Sequence, residues 1–186
     1  MDREQDHLMP ELRIVPVVMA GGAGTRLWPL STEDSPKQFQ RLTGPQSTFE
    51  QTLRRVADPS LFAPPLVITS HHHGRIAARL AAAAGVKARI MLEPMRRDSA
   101  AAVAAAAAYI AAEGGDLVLV LAADHQITDD HLFLDAVRAG MAAARQGSIV
   151  VFGITPDAPR TGYGYIRRGA AVSPGVFTVE AFVEKP

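Results

Sequence analysis

The chain contains no cysteine, which removes disulfide scaffolds, thiol catalysis and thiolate metal sites from consideration and accords with a reducing compartment. It also lacks net charge, with 19 Lys and Arg against 19 Asp and Glu, so no global field recruits nucleic acid or an anionic membrane. Any anion has to be captured by a local site. The opening stretch from Met1 to Leu8 has no apolar signal core, and the apolar runs further on are too short to cross a bilayer. The expectation is a soluble, cytoplasmic protein with neither nucleic acid nor membrane as partner.

What is present is enough apolar residue, 48% of 186 positions, to bury a real core in one domain. Short apolar runs recur at Ile14–Ala20, Leu66–Thr69, Ala88–Leu92, Leu117–Ala122 and Ser148–Ile154, and read as buried strands. Pro16 is tolerable only near the beginning of its strand. Between the runs lie helical spacings: Phe49, Leu53 and Val56; Ile76, Leu80 and Ala84; Val103 to Ile110; Phe133, Val137 and Met141. Ser47, Ser70 and Asp98 or Ser99 are candidate N-caps, while Gly85, Gly114 and Gly147 are placed to close helices. Strands without polar alternation, separated by helices, predict an α/β fold: a doubly wound, mostly parallel sheet with helices on both faces. After Ile154 the sequence predicts an irregular arm and one further strand, Val176 to Val183.

Open parallel sheets bind ligands at the C-terminal ends of their strands. The residues just past each run are Gly21 to Arg26, Ser70 to His73, Glu93 to Ser99, and Asp124 with His125, so charged and glycine-rich residues gather at that edge. Gly21, Gly22 and Gly24 let backbone N–H groups approach an anion with no Cβ in the way, although glycines alone fit a plain chain reversal equally well. A dinucleotide fingerprint would need a glycine where Leu27 stands, and a Walker loop would need Gly-Lys-Ser/Thr where Gly24-Thr25-Arg26 stands. Neither is met.

The run Val17 to Leu30, followed by Ser35-Pro-Lys-Gln-Phe39, resembles the signature of the sugar-1-phosphate nucleotidyltransferases, in its mannose-1-phosphate guanylyltransferase branch. The resemblance continues at Glu93-Pro94 with Arg97-Asp-Ser99, at Leu121 to His125, at Thr161 to Ile166 and at Val183 to Pro186, and so covers residues 14–186 after a tail of 1–13. It implies GMP transfer from GTP to mannose 1-phosphate with Mg²⁺. Nucleotidyl transfer brings two anionic phosphates together, so cations must converge, and Arg26 and Lys37 are the candidate catalytic pair. The implied nucleotide-binding residues are Ala20, Gly21, Gly22, Gly24, Thr25, Glu93, Arg97, Asp98 and Ser99. Tyr163, Gly164, Glu184 and Lys185 are implied around the sugar phosphate, and Asp124 as metal ligand.

The family pattern Gly-Arg-Asn-Thr-Ala-Pro is replaced by Arg96-Arg97-Asp98-Ser99-Ala-Ala, so Asp98 either accepts from guanine N1 and N2 or only caps a helix. His71-His72-His73 point in different directions with no acidic partner spaced nearby, which argues against a metal site. Family members extend past the Glu-Lys-Pro motif, so the domain is expected to be incomplete at its C-terminus and these residues alone to bind GTP weakly and turn over little. A homo-oligomer is left open. Alternatives are a transferase for another sugar or base, and a non-catalytic nucleotide-binding module.

Overall fold

A computed structural model describes residues 13–22, 27–42, 44–95 and 98–184. They fall into two compact units that divide after Gln126.

The first unit holds a four-stranded parallel sheet built from β1 (Ile14–Met19), β2 (Leu66–Ser70), β3 (Arg89–Glu93) and β4 (Leu117–Ala122), in the order β3-β2-β1-β4. The inner strand β1 is buried almost throughout, as its unbroken apolar sequence requires. Pro16 lies just before Val17, the first residue in register with β2, so its missing N–H interrupts no bond on that side. Ala20 lies beyond the strand, yet its N–H still donates to the Ile68 carbonyl at 2.8 Å.

Alternation along the strands sorts the apolar residues into two cores. Val18, Ala20 and Val67 face one way, where Phe39, α1 (Thr48–Arg55) through Phe49 and Leu53, and α2 (Gly74–Ala83) through Ala77 and Ala81 cover them. Val15, Val17, Leu66 and Ile68 face the other way, against Ala102, Ala106 and Ile110 of α3 (Ser99–Ala112). The expected layers, helices on both faces of a parallel sheet, are therefore present. In α3 the buried side chains recur every fourth residue and are mostly methyl groups, which lets the helix lie close to the sheet. Tyr109 is turned outward, where the Arg89 guanidinium stands over its ring at 5.4 Å.

Helix ends follow local chemistry. Ser47 caps α1 in a reciprocal box: its hydroxyl accepts from Glu50 N–H, and the Glu50 carboxylate accepts from Ser47 N–H at 2.8 Å. Gly85, Gly114 and Gly147 take positive φ after their helices, as expected. Ser70 departs from expectation, because a 3₁₀ turn, His71–His73, separates it from α2 and its hydroxyl meets His73 Nδ1 at 2.9 Å.

The second unit begins with α4 (Asp130–Arg145), capped by Asp129, whose carboxylate accepts from Leu132 N–H at 3.0 Å. The strand expected at Ser148–Ile154 does not form. That segment makes no ladder with any described strand, and Ile149 and Ile154 are exposed, because apolar β-type residues become a strand only when a partner supplies the hydrogen bonds. Val150 instead approaches α4 at Gly140, where a built Cβ would meet its Cγ1 at 3.1 Å. The arm expected to be irregular contains β5 (Gly164–Ser173), paired antiparallel with β6 (Val176–Glu184) through several register shifts. The signal for this hairpin is Pro174-Gly175, with Gly175 at φ +76.

Candidate active site

Every strand of a parallel sheet delivers its following loop to the same edge, so the residues after β1, β2, β3 and β4 meet there by topology. Lys37 comes to this edge on a 3₁₀ turn, Lys37–Phe39, and its Nζ lies 2.7 Å from Asp124 Oδ2. Asp124 stands directly beyond β4, and no helix claims its carboxylate, since α4 is capped by Asp129. Burial alone would raise the Asp124 carboxyl, but the hydrogen bond and charge of Lys37, with the charge of His125, hold it below its ordinary value. The carboxylate is therefore ionised at neutral pH.

Gln38 and Phe39 anchor the same turn. Phe39 packs edge-on against Phe49, with ring centroids 5.1 Å apart, and Gln38 Nε2 donates to the carbonyl oxygens of Ala20 and Gly22. The Ala20 side chain is buried in the core. Gly21 packs so closely against Glu93, at the end of β3, that a built Cβ would lie 2.8 Å from Glu93 Oε2. Only a glycine fits there without moving the carboxylate.

Glu93 also lines a cavity of about 450 Å³ with Glu33, Asp34, Ser70, His71, His72, Pro94 and Met95. Its walls are rich in carboxylates, which suits hydrogen-bond donors rather than phosphate. The three histidines do separate jobs. His73 is buried and donates from Nε2 to the Glu33 carbonyl at 2.7 Å, while His72 Nε2 meets Asp34 Oδ1 at 2.9 Å. The acidic partner that sequence spacing did not reveal is thus Asp34, far off in the chain. Among the described residues no group of three or more metal-ligating side chains forms.

Asp98 occupies the N-cap position of α3 with extended backbone, but its side chain makes no cap hydrogen bond, and Ser99 opens the helix, exposed. In the second unit, Gly164 pairs across the hairpin with Glu184, whose Oε2 would lie 2.8 Å from a built Cβ at Gly164, and Tyr163 is exposed beside them. Gly24, Thr25, Arg26, Arg97 and Lys185 lie outside the described residues. Sequence reasoning assigned no role to Gln38, Thr69 or His73. The first adjoins Lys37 in the motif, and the other two carry no local signal.

The structure thus combines a parallel α/β sheet, glycines directly after β1 and a lysine–aspartate pair at the same edge. Residues 15–186 match the nucleotidyl transferase family, and the chain belongs to it. It is 46% identical to a mannose-1-phosphate guanylyltransferase of Sinorhizobium fredii over 98% of its own length, and 45% identical to an alginate biosynthesis protein of Pseudomonas aeruginosa over 93%. It spans only 36% and 37% of those two relatives. A solved mannose-1-phosphate geranyltransferase from Thermus thermophilus superposes with a TM-score of 0.83 at 40% identity, over 94% of this chain and 50% of that one. A mannose-6-phosphate isomerase from Helicobacter pylori follows at TM-score 0.70 and 28% identity, over 94% of this chain and 61% of that one. No helix among the described residues is long and apolar enough to cross a membrane.

Proposed function

We propose that residues 14–186 form the nucleotide-binding portion of a cytoplasmic mannose-1-phosphate guanylyltransferase, converting GTP and mannose 1-phosphate to GDP-mannose and pyrophosphate. The observation that carries this reading is the Lys37–Asp124 contact of 2.7 Å beside the glycine loop. It sets one cation against one ionised carboxylate at the edge where the motif implies the nucleotide, on a fold whose relatives at more than 40% identity bear that name.

In the reaction an oxygen of the sugar phosphate attacks the α-phosphorus of GTP. The new P–O bond forms as the bond to the bridging oxygen breaks, and pyrophosphate leaves with the electron pair. The nucleophile is already an anion, so no general base and no covalent enzyme intermediate are needed. The barrier is repulsion and misalignment, which cations and positioning lower. Arg26 and Lys37 supply the cations, with Gly21, Gly22, Gly24 and Thr25 cradling phosphate.

Glu93 and Asp98 offer acceptor-only carboxylates to guanine N1–H and N2–H, and the acidic cavity beside Glu93 suits that base. Arg97 and Ser99 complete the nucleotide side. Tyr163, Gly164, Glu184 and Lys185 hold the sugar phosphate, a role supported by the cross-strand pairing of Gly164 with Glu184.

The donor set fits Mg²⁺, which takes one or two protein carboxylates and completes its shell with water and phosphate oxygens. Asp124, ionised and with 37% of its side chain exposed, is such a carboxylate. When bound, the ion offsets phosphate charge in the transition state. Asp124 would hold it, which would leave the Lys37 ammonium to meet phosphate oxygens.

The test is pyrophosphate release with GTP and mannose 1-phosphate, each omitted in turn, then exchanged for the other nucleoside triphosphates and for glucose 1-phosphate. Release that requires both substrates, slow from these residues alone, is the expected result. Release with a different pair reassigns base or sugar, and GTP binding without release reduces the chain to a binding module.

A further inference from the structure

The turn Lys37–Phe39 sends consecutive side chains to different places. Lys37 reaches Asp124 and Phe39 enters the core, while Gln38, 3% exposed, folds back onto the end of β1. There its amide nitrogen donates to the carbonyl oxygen of Ala20 at 3.2 Å and to that of Gly22 at 2.8 Å. The Ala20 oxygen also accepts from the Thr69 hydroxyl at 3.0 Å, so both of its lone pairs are engaged.

A trans peptide holds its N–H opposite its C=O. With the Ala20 carbonyl drawn toward Gln38 and Thr69, the Gly21 N–H is turned to the other side. Glycines allow close approach to an anion, but the same freedom lets their peptide planes rotate, so something outside the loop has to select the orientation. Among the described residues, a Cβ built on Gly22 would meet nothing within 4 Å.

We infer that Gln38 is a positioning residue: it fixes the peptide orientation of the glycine loop and ties that loop to Lys37, so that backbone donors and ammonium address one anionic ligand together. The inference rests on the nucleotide reading above and extends it, since Gln38 acts on the nucleotide only through Gly21, Gly22 and Lys37. A side chain that merely filled space would be replaced without loss by an apolar one of equal length. A lock made of two donated hydrogen bonds would not.

The experiment compares the parent chain with Gln38→Met, which keeps length and removes both donors, and with Gln38→Glu, which turns a carboxylate toward two carbonyl oxygens. Calorimetry with GTP and Mg²⁺ is paired with hydrogen exchange of the peptide containing Gly21 and Gly22, with an α1 peptide as reference. Both variants are expected to weaken GTP binding by about tenfold or more and to speed exchange in the loop while α1 stays protected. Should Gln38→Met fail to fold, Gln38→Ser leaves room for water to serve the two carbonyls, and the same losses are expected of it. Parent-like affinity and exchange in the folded variants would overturn the inference. A parent that binds no GTP overturns the nucleotide reading instead, and is told apart because the exchange comparison needs no nucleotide.

Discussion

Lys37 Nζ and Asp124 Oδ2 stand 2.7 Å apart, although one precedes α1 and the other follows β4. The contact depresses Asp124 against the upward push of its own burial. A depressed carboxyl contributes stability above its unfolded value and loses it as pH falls through the folded one. The pair should therefore stay intact from neutrality down past the ordinary value of 3.8 and break only below it. A carboxyl-resolved NMR titration should place the Asp124 midpoint below 3.8, and Lys37→Met should move it upward. An unmoved midpoint would mean that the ammonium is not what holds the carboxylate.

Asp124→Asn keeps size and removes the charge. The pair is partly exposed, so the apo protein should lose no more than about 1 kcal/mol of stability, while any Mg²⁺ enhancement of GTP binding disappears. Thermal melting and a Mg²⁺ titration check the two halves separately. Equal metal response in mutant and parent would leave Asp124 as a turn residue.

Gly21→Ala places a methyl group 2.8 Å from Glu93 Oε2. The obstacle is the far end of a flexible side chain, so the carboxylate swings away and the fold survives. Nucleotide affinity should nevertheless fall about tenfold, because a reading group is displaced. Undiminished GTP affinity, measured beside an unchanged melting temperature, would remove Glu93 from the nucleotide site.

Ser47→Ala breaks the capping box of α1 and should cost roughly 0.5–2 kcal/mol. Burial pushes the Glu50 carboxyl up, yet bonds from the Ser47 backbone and hydroxyl hold it below its ordinary value of 4.5. The stability it contributes is present above 4.5 and lost as pH falls through the folded value. In Ser47→Ala the Glu50 carboxyl should rise, and the acid side of the melting-temperature profile should flatten. A parallel downward shift at every pH would assign the loss to the helix cap alone.

Features set by neighbours in the chain were legible from sequence. The strands β1 to β4, of which β1 and β2 are buried as expected while β3 and β4 stay partly exposed at the sheet edges, the alternation that splits their side chains between two cores, the Ser47 cap and the glycines that close helices follow from periodicity and backbone preference within a few residues. The edge where ligand residues gather was legible too, because parallel topology carries every β-to-α loop to one end of the sheet. Tertiary structure alone decided which of those residues touch. Ser148–Ile154 has strand composition and no strand, since a ladder requires a partner that composition does not supply. Asp34 reaches His72, the Glu33 carbonyl receives His73, and Gln38 reaches Ala20 and Gly22, all across chain separations that carry no spacing signal. Periodicity reports which face a side chain takes, whereas a polar contact depends on where another element's backbone arrives, and that is fixed only when the sheet is assembled.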